Sequence, residues 1–140
     1  MPLITKKPPK TVGTLAKAAV RDAFSPSTLG GRANASVTAT PTLSEPHPVY
    51  NLGLDEVVKG DKANLKAARQ TGWRYLVVHG TDVVAATEVH QSSARGVATF
   101  SNISEGSFAE GSGAAIAAAK DLPGLEAHDF ELRLLRIPAL

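Results

Sequence analysis

Trp73-Arg-Tyr-Leu-Val-Val-His79, Gly80-Thr81, Asp82-Val-Val-Ala-Ala-Thr-Glu-Val89 is the stretch that decides how this chain folds. Two runs rich in β-branched and aromatic residues flank a dipeptide whose first residue is glycine. That suits a type II′ turn, so the segment reads as a β-hairpin. A two-residue turn sets the expected register: His79 opposite Asp82, Val77 opposite Val84, Tyr75 opposite Ala86 and Trp73 opposite Glu88. The other face then carries Leu76, Val78, Val83, Ala85 and Val89. Both faces are largely apolar, so one packs on helices and the other needs a further cover, either the N-terminal segment or a second subunit.

On the N-terminal side of the hairpin, Leu54, Val57 and Val58 start a helical pattern that Lys62 to Gln70 continue through Leu65 and Ala68. Gly60-Asp61 breaks it, Asp61 caps the second piece and Gly72 ends it. On the C-terminal side, Gly96 to Ile103 reads as a third strand. An Ala-rich helix follows within Ser107 to Lys120 and stops at Leu122-Pro123-Gly124. Phe130, Leu132 and Leu134 alternate with Glu131 and Arg133 as a last strand, and the apolar Ile137-Pro138-Ala139-Leu140 is expected to dock. The order predicts a small α+β two-layer sandwich with a mainly antiparallel sheet: helix, three-strand meander, helix, strand. This domain is expected to cover residues 49–140.

Residues 1–48 have a different composition. Seven of the nine prolines fall here, and residues 25–48 are dominated by Ser, Thr, Pro, Gly and Ala. The net charge of +2 is unevenly spread: residues 1–33 hold six basic residues against Asp22 alone, whereas residues 34–140 hold nine basic and twelve acidic residues. The segment therefore reads as an extended basic arm. Ala33 to Thr40 alternates small and hydroxyl residues and is a weak candidate for an edge strand. Within the arm, Val12, Leu15, Ala16, Ala19, Val20, Ala23 and Phe24 form one apolar helix face. Thr11 is the expected N-cap and Ser25-Pro26 the stop. A helix of about 13 residues is marginal alone in water, so it needs a surface to lie on.

Several function classes are excluded or disfavoured. Cysteine is absent, which rules out disulfides, thiolate metal sites and cysteine nucleophiles. No apolar run approaches a membrane span, and the N-terminus lacks a signal peptide's apolar core. The acid-poor N-terminal segment has some transit-peptide character, but Pro2, Pro8 and Pro9 argue against organelle import. The expected location is the cytoplasm or a larger assembly. His47, His79, His90 and His128 show no metal-ligand spacing, and no GxSxG elbow is present. No metal and no cofactor is therefore expected.

Three candidate sites remain. His79 and Asp82 flank the hairpin turn, where a turn-stabilising pair is the simpler reading. The run Gly106 to Gly113 opens the Ala-rich helix and resembles an anion cradle, yet it matches no phosphate-loop motif and contains Glu110. Glu105 precedes this run and Glu110 lies in it, and nothing in the sequence sets the two carboxylates up for acid–base work. Lys59, Lys62, Lys66 and Arg69 fall at helical spacing as a basic stripe, which together with Lys6, Lys7 and Lys10 suggests an anion or nucleic-acid footprint. A solvated face is the simpler account of the stripe.

The leading expectation is a non-enzymatic assembly or adaptor protein. Its arm would dock through Val12, Leu15, Ala16, Ala19, Val20 and Phe24 onto a like subunit or a larger protein partner. The alternatives are a nucleic-acid-associated protein using the arm and the Lys59 to Arg69 stripe, and a small enzyme or ligand-binding domain. The last would have its site near His79 and Asp82 or the Gly106 to Gly113 loop.

Overall fold

The hairpin forms around Gly80, whose φ of +65° is the left-handed conformation that glycine takes without steric cost. The computed structural model describes residues 3–4, 6–24, 41–60, 64–93 and 95–137. Its elements run β1 (Leu3–Ile4), α1 (Lys10–Ala23), β2 (Thr42–Leu43), β3 (His47–Asn51), α2 (Leu54–Val57), β4 (Arg69–His79), β5 (Asp82–His90), β6 (Thr99–Glu105), α3 (Ser107–Lys120), β7 (Phe130–Glu131) and β8 (Leu134–Arg136). Single 3-10 turns occur at Leu65–Ala67 and Leu125–Ala127. The chain is a small α+β protein with a mostly antiparallel mixed sheet in the order β6-β5-β4-β3-β8. β2 continues the β3 side by pairing with the far end of β4, and β3 and β8 are parallel. A separate parallel pair joins β1 to β7.

The expected hairpin register holds only next to the turn. His79 faces Asp82 and Val78 faces Val83, but Val84 is then an extra residue on β5, so Val77 faces Ala85 and Trp73 faces Val89. A bulge of one residue exchanges the two faces of a strand from that point on. Trp73, Tyr75, Val77, Ala85 and Val89 now share one side, and Glu88 lies opposite Arg74 rather than Trp73.

Each face has its own helix. Val12 and Ala16 of α1 pack with Trp73, Tyr75 and Val89, and Val20 packs with Val77 and Ala85. Ala109 of α3 packs with Leu76 and Ala86 on the opposite face, with Val83 and Ile116 beside them. α3 is able to lie close because its residues are small: a Cβ on Gly113 would stand 2.7 Å from Val83 Cγ2. The arm helix is thus the second cover that the two-faced hairpin required, and it adds a layer to the expected sandwich. It begins at Lys10 after Pro9, so Thr11 lies inside the helix and is not its cap.

Other expectations need correction. In the expected helix Lys62 to Gln70, the described residues from Asn64 onward are not α-helical. They hold one 3-10 turn, and the chain enters β4 at Arg69 because β3 offers Asn51 and Tyr50 as ladder partners for Arg69 and Gln70. The expected last strand is divided, since Phe130–Glu131 pairs with β1 and Leu134–Arg136 pairs with β3. Residues 42–48, assigned to the arm by composition, supply β2 and the start of β3. The possible edge strand at Ala33 to Thr40, the helix stop at Ser25-Pro26 and the terminal Pro138 to Leu140 lie outside the described residues. Among the described residues, no helix is long and apolar enough to cross a membrane.

Candidate functional site

A row of polar residues crosses the α3 side of this apolar sheet. β3 sets His47 opposite Arg74 of β4, and β5 sets Glu88 on the other side of Arg74. All three are buried, with exposures of 3%, 7% and 7%. The Val84 bulge creates the row, because without the extra residue Glu88 would face Trp73. Arg136 of β8 completes the group: its Nη2 lies 2.5 Å from Glu88 Oε1. Arg74 Nη1 donates to Ser112 Oγ of α3 at 2.8 Å, and that hydroxyl donates to the Phe108 carbonyl at 2.9 Å.

Charges in a low-dielectric setting must be compensated. Here two guanidinium groups share one carboxylate. Glu88 is engaged by Arg136, while the hydrogen bond of Arg74 goes to a neutral hydroxyl. Burial pulls the Arg74 pKa below its usual value, the Glu88 charge opposes that shift and the Arg136 charge adds to it. His47 responds more strongly. Burial, and then the neighbouring Arg74 charge, lower its pKa to about 4 against the partial opposition of Glu88. The imidazole is therefore neutral at pH 7, and its Nδ1 is buried without a hydrogen-bond partner.

His47, Arg74 and Ser112 form the polar part of a cleft of about 270 Å³ between α3 and the C-terminal segment. Its walls are Ala115, Ile116 and Ala119 of α3 facing Leu132, Arg133 and Leu134. The Arg133 guanidinium is already engaged: it stacks 4.4 Å from the Tyr50 ring centroid, and its Nε and Nη2 contact Glu131 at 3.0 and 3.2 Å. The result is an apolar slot with a cation, a hydroxyl and a neutral imidazole along one part of its lining.

The residues singled out from sequence lie elsewhere. His79 and Asp82 do face each other beside the turn. Asp82 borders a broad hollow of about 500 Å³ that also includes Glu110 and Gly113, bringing the hairpin turn and the Gly-rich run together. Its lining carries two carboxylates and no basic side chain. Helix α3 starts at Ser107, so Gly111 to Gly113 lie within it and their N–H groups do not form an open cradle. The basic stripe does not assemble, because its helix is not formed. Lys59 pairs with Glu56 at 2.8 Å, Lys66 sits on a 3-10 turn, Arg69 opens β4, and Lys62 lies outside the described residues. Lys6 contacts Glu131 at 3.6 Å, while Lys7 and Lys10 are exposed. Of the expected docking residues, Val12, Ala16 and Val20 are buried against the chain's own sheet, Leu15 and Phe24 pack beside them, and Ala19 is half-buried.

Sequence reasoning missed the row because it set the domain boundary at His47-Pro48 and did not single out Arg74, Glu88 or Arg136. One signal was available. Arg74 and Glu88 are lone charges inside apolar strand runs, where a charge is rarely tolerated without a partner. Comparison of the chain with protein-family models, curated proteins and solved structures returned no match.

Proposed function

We propose that this protein is a small non-catalytic binding module, and that the cleft between α3 and the Leu132 to Leu134 segment holds a small molecule. One observation carries the reading: an apolar slot whose polar lining holds Arg74, a buried cation hydrogen-bonded to the neutral Ser112 hydroxyl, beside the neutral His47. A buried charge calls for compensation, and an apolar slot with a few convergent polar groups is the usual form of a small-molecule site. The test is a thermal-shift and calorimetric screen of small organic fragments on the full chain and on Ala119→Leu, which fills the slot from α3. Fragments should raise the midpoint of the parent protein and lose that effect in Ala119→Leu. A screen without hits, or hits that persist unchanged in the filled variant, would refute the reading.

Self-association remains the second reading, on a different surface from the arm. Helix α1 already has its apolar face against its own sheet, so an arm that docks elsewhere loses its motive. Strand β6, in contrast, is the end of the sheet order and lies near exposed Val97, Phe100 and Phe108. Open strand edges with apolar surroundings are pairing sites. Light scattering across a concentration series tests this, and a monomer at all concentrations would remove it.

A further inference from the structure

We infer that the cleft takes a monocarboxylate with an apolar body of small size, its carboxylate set between Arg74 and His47. This rests on the reading of the cleft as a binding site and adds the chemistry of its ligand. Three features of the lining lead to it.

The first is charge. Glu88 is engaged by the half-exposed Arg136, the hydrogen bond of the buried Arg74 goes to a neutral hydroxyl, and no carboxylate lines the cleft among the described residues. A single negative charge on the ligand gives Arg74 a direct counter-charge. A cation would meet the Arg74 charge, and a neutral ligand would leave that charge as it stands.

The second is the donor set. A guanidinium carries five N–H donors, and Arg74 spends one of them on Ser112. His47 is neutral, so one of its ring nitrogens carries a proton, and the side chain lines the cleft beside Arg74. The two side chains are ladder neighbours, so they offer their donors next to each other. Two adjacent donors match the two oxygens of a carboxylate. A phosphate dianion would bring a second charge and more acceptors than these groups satisfy.

The third is shape. Ala115, Ile116, Ala119, Leu132 and Leu134 make the remaining walls apolar, so the rest of the ligand is hydrocarbon. A cavity near 150 Å³ holds a benzene ring, so scaling by volume gives this slot roughly ten non-hydrogen atoms. Octanoate is of that size.

Isothermal titration at pH 7.5 with octanoate, octanamide and octylamine varies only the head group. Octanoate should bind at least tenfold more tightly than octanamide, and octylamine should bind more weakly than either. Arg74→Leu should reduce octanoate to the octanamide level, Arg74→Lys should restore part of the difference, and Ala119→Leu should abolish all binding. Should Arg74→Leu fail to fold, as judged by circular dichroism, His47→Asn provides the second readout and should weaken octanoate without changing octanamide. Octanamide binding as tightly as octanoate, with both lost in Ala119→Leu, would overturn the carboxylate assignment and leave the cleft as a site. No binding by any of the three probes would overturn both.

Discussion

Truncating the apolar face of α1 measures whether the arm helix is part of the core. Val12 is 0% exposed and Val20 is 3% exposed, in two separate clusters. Replacing a valine by alanine removes two methyl groups, worth about 0.8 kcal/mol each when buried. The void left behind adds up to about 1 kcal/mol, depending on how far the site collapses. Each of Val12→Ala and Val20→Ala should therefore cost about 2 kcal/mol, and the double variant about 4 kcal/mol, because the two sites lie about two helical turns apart and their clusters meet only at the half-buried Leu43. That is a large part of the roughly 5–15 kcal/mol of an ordinary domain. Val58→Ala, at a position 74% exposed, is the control and should stay within about 0.5 kcal/mol of the parent. The assay is urea unfolding followed by Trp73, the chain's one tryptophan, which is 5% exposed and packs in the Val12 cluster. With a typical urea slope, each single variant should lower the midpoint by about 1 M. Midpoints for Val12→Ala and Val20→Ala that match Val58→Ala would refute the cis packing of α1 and return the helix to an external partner.

Two further outcomes follow from the sheet. Gly72→Ala should destabilise by about 2–3 kcal/mol in the same assay, because the added methyl would stand 2.3 Å from the Val89 carbonyl oxygen and force β4 and β5 apart; an unchanged midpoint would mean that the strands are not so close. Stability should also rise with pH between about 4 and 6.5. In that window the unfolded chain protonates His47 and the folded one does not, so the stability present above pH 6.5 is lost as the pH falls toward 4, by about 3 kcal/mol in all. His47→Asn should flatten this part of the urea-midpoint profile, and a profile equally steep in the variant would assign the dependence to other groups.

Local rules carried the sequence reading as far as local rules decide. The Gly80 turn, the amphipathic face of α1 and the Ser107 to Lys120 helix are set by residues close to one another in the chain, and each was legible. Tertiary pairing decided the rest. Arg69 and Gln70 belong to a helical pattern by composition, yet the ladder with β3 makes them strand. His47, between two prolines, resembles linker. Pro48 is tolerated within β3, where β8 reaches only Val49 to Asn51 and Pro48 lies beyond its end. The largest loss came from one residue. Nothing in Val83-Val84-Ala85 marks Val84 as a bulge, and that parity change places Glu88 beside Arg74 and so creates the candidate site.

The position of α1 in the chain has a kinetic meaning. Its partners Trp73 and Val89 lie about fifty residues or more beyond the end of the helix, whereas β4 and β5 are joined by a two-residue turn. Closing so long a segment carries an entropic cost that the hairpin avoids. During synthesis the helix leaves the ribosome before any of the strands it covers, and it has to wait for them. The hairpin is therefore expected to organise before α1 packs on it. Contacts made after the transition state change the unfolding rate and leave the folding rate nearly untouched. On this order Val12→Ala should speed unfolding more than it slows folding, and α1 is the latch that sets how long the native state survives.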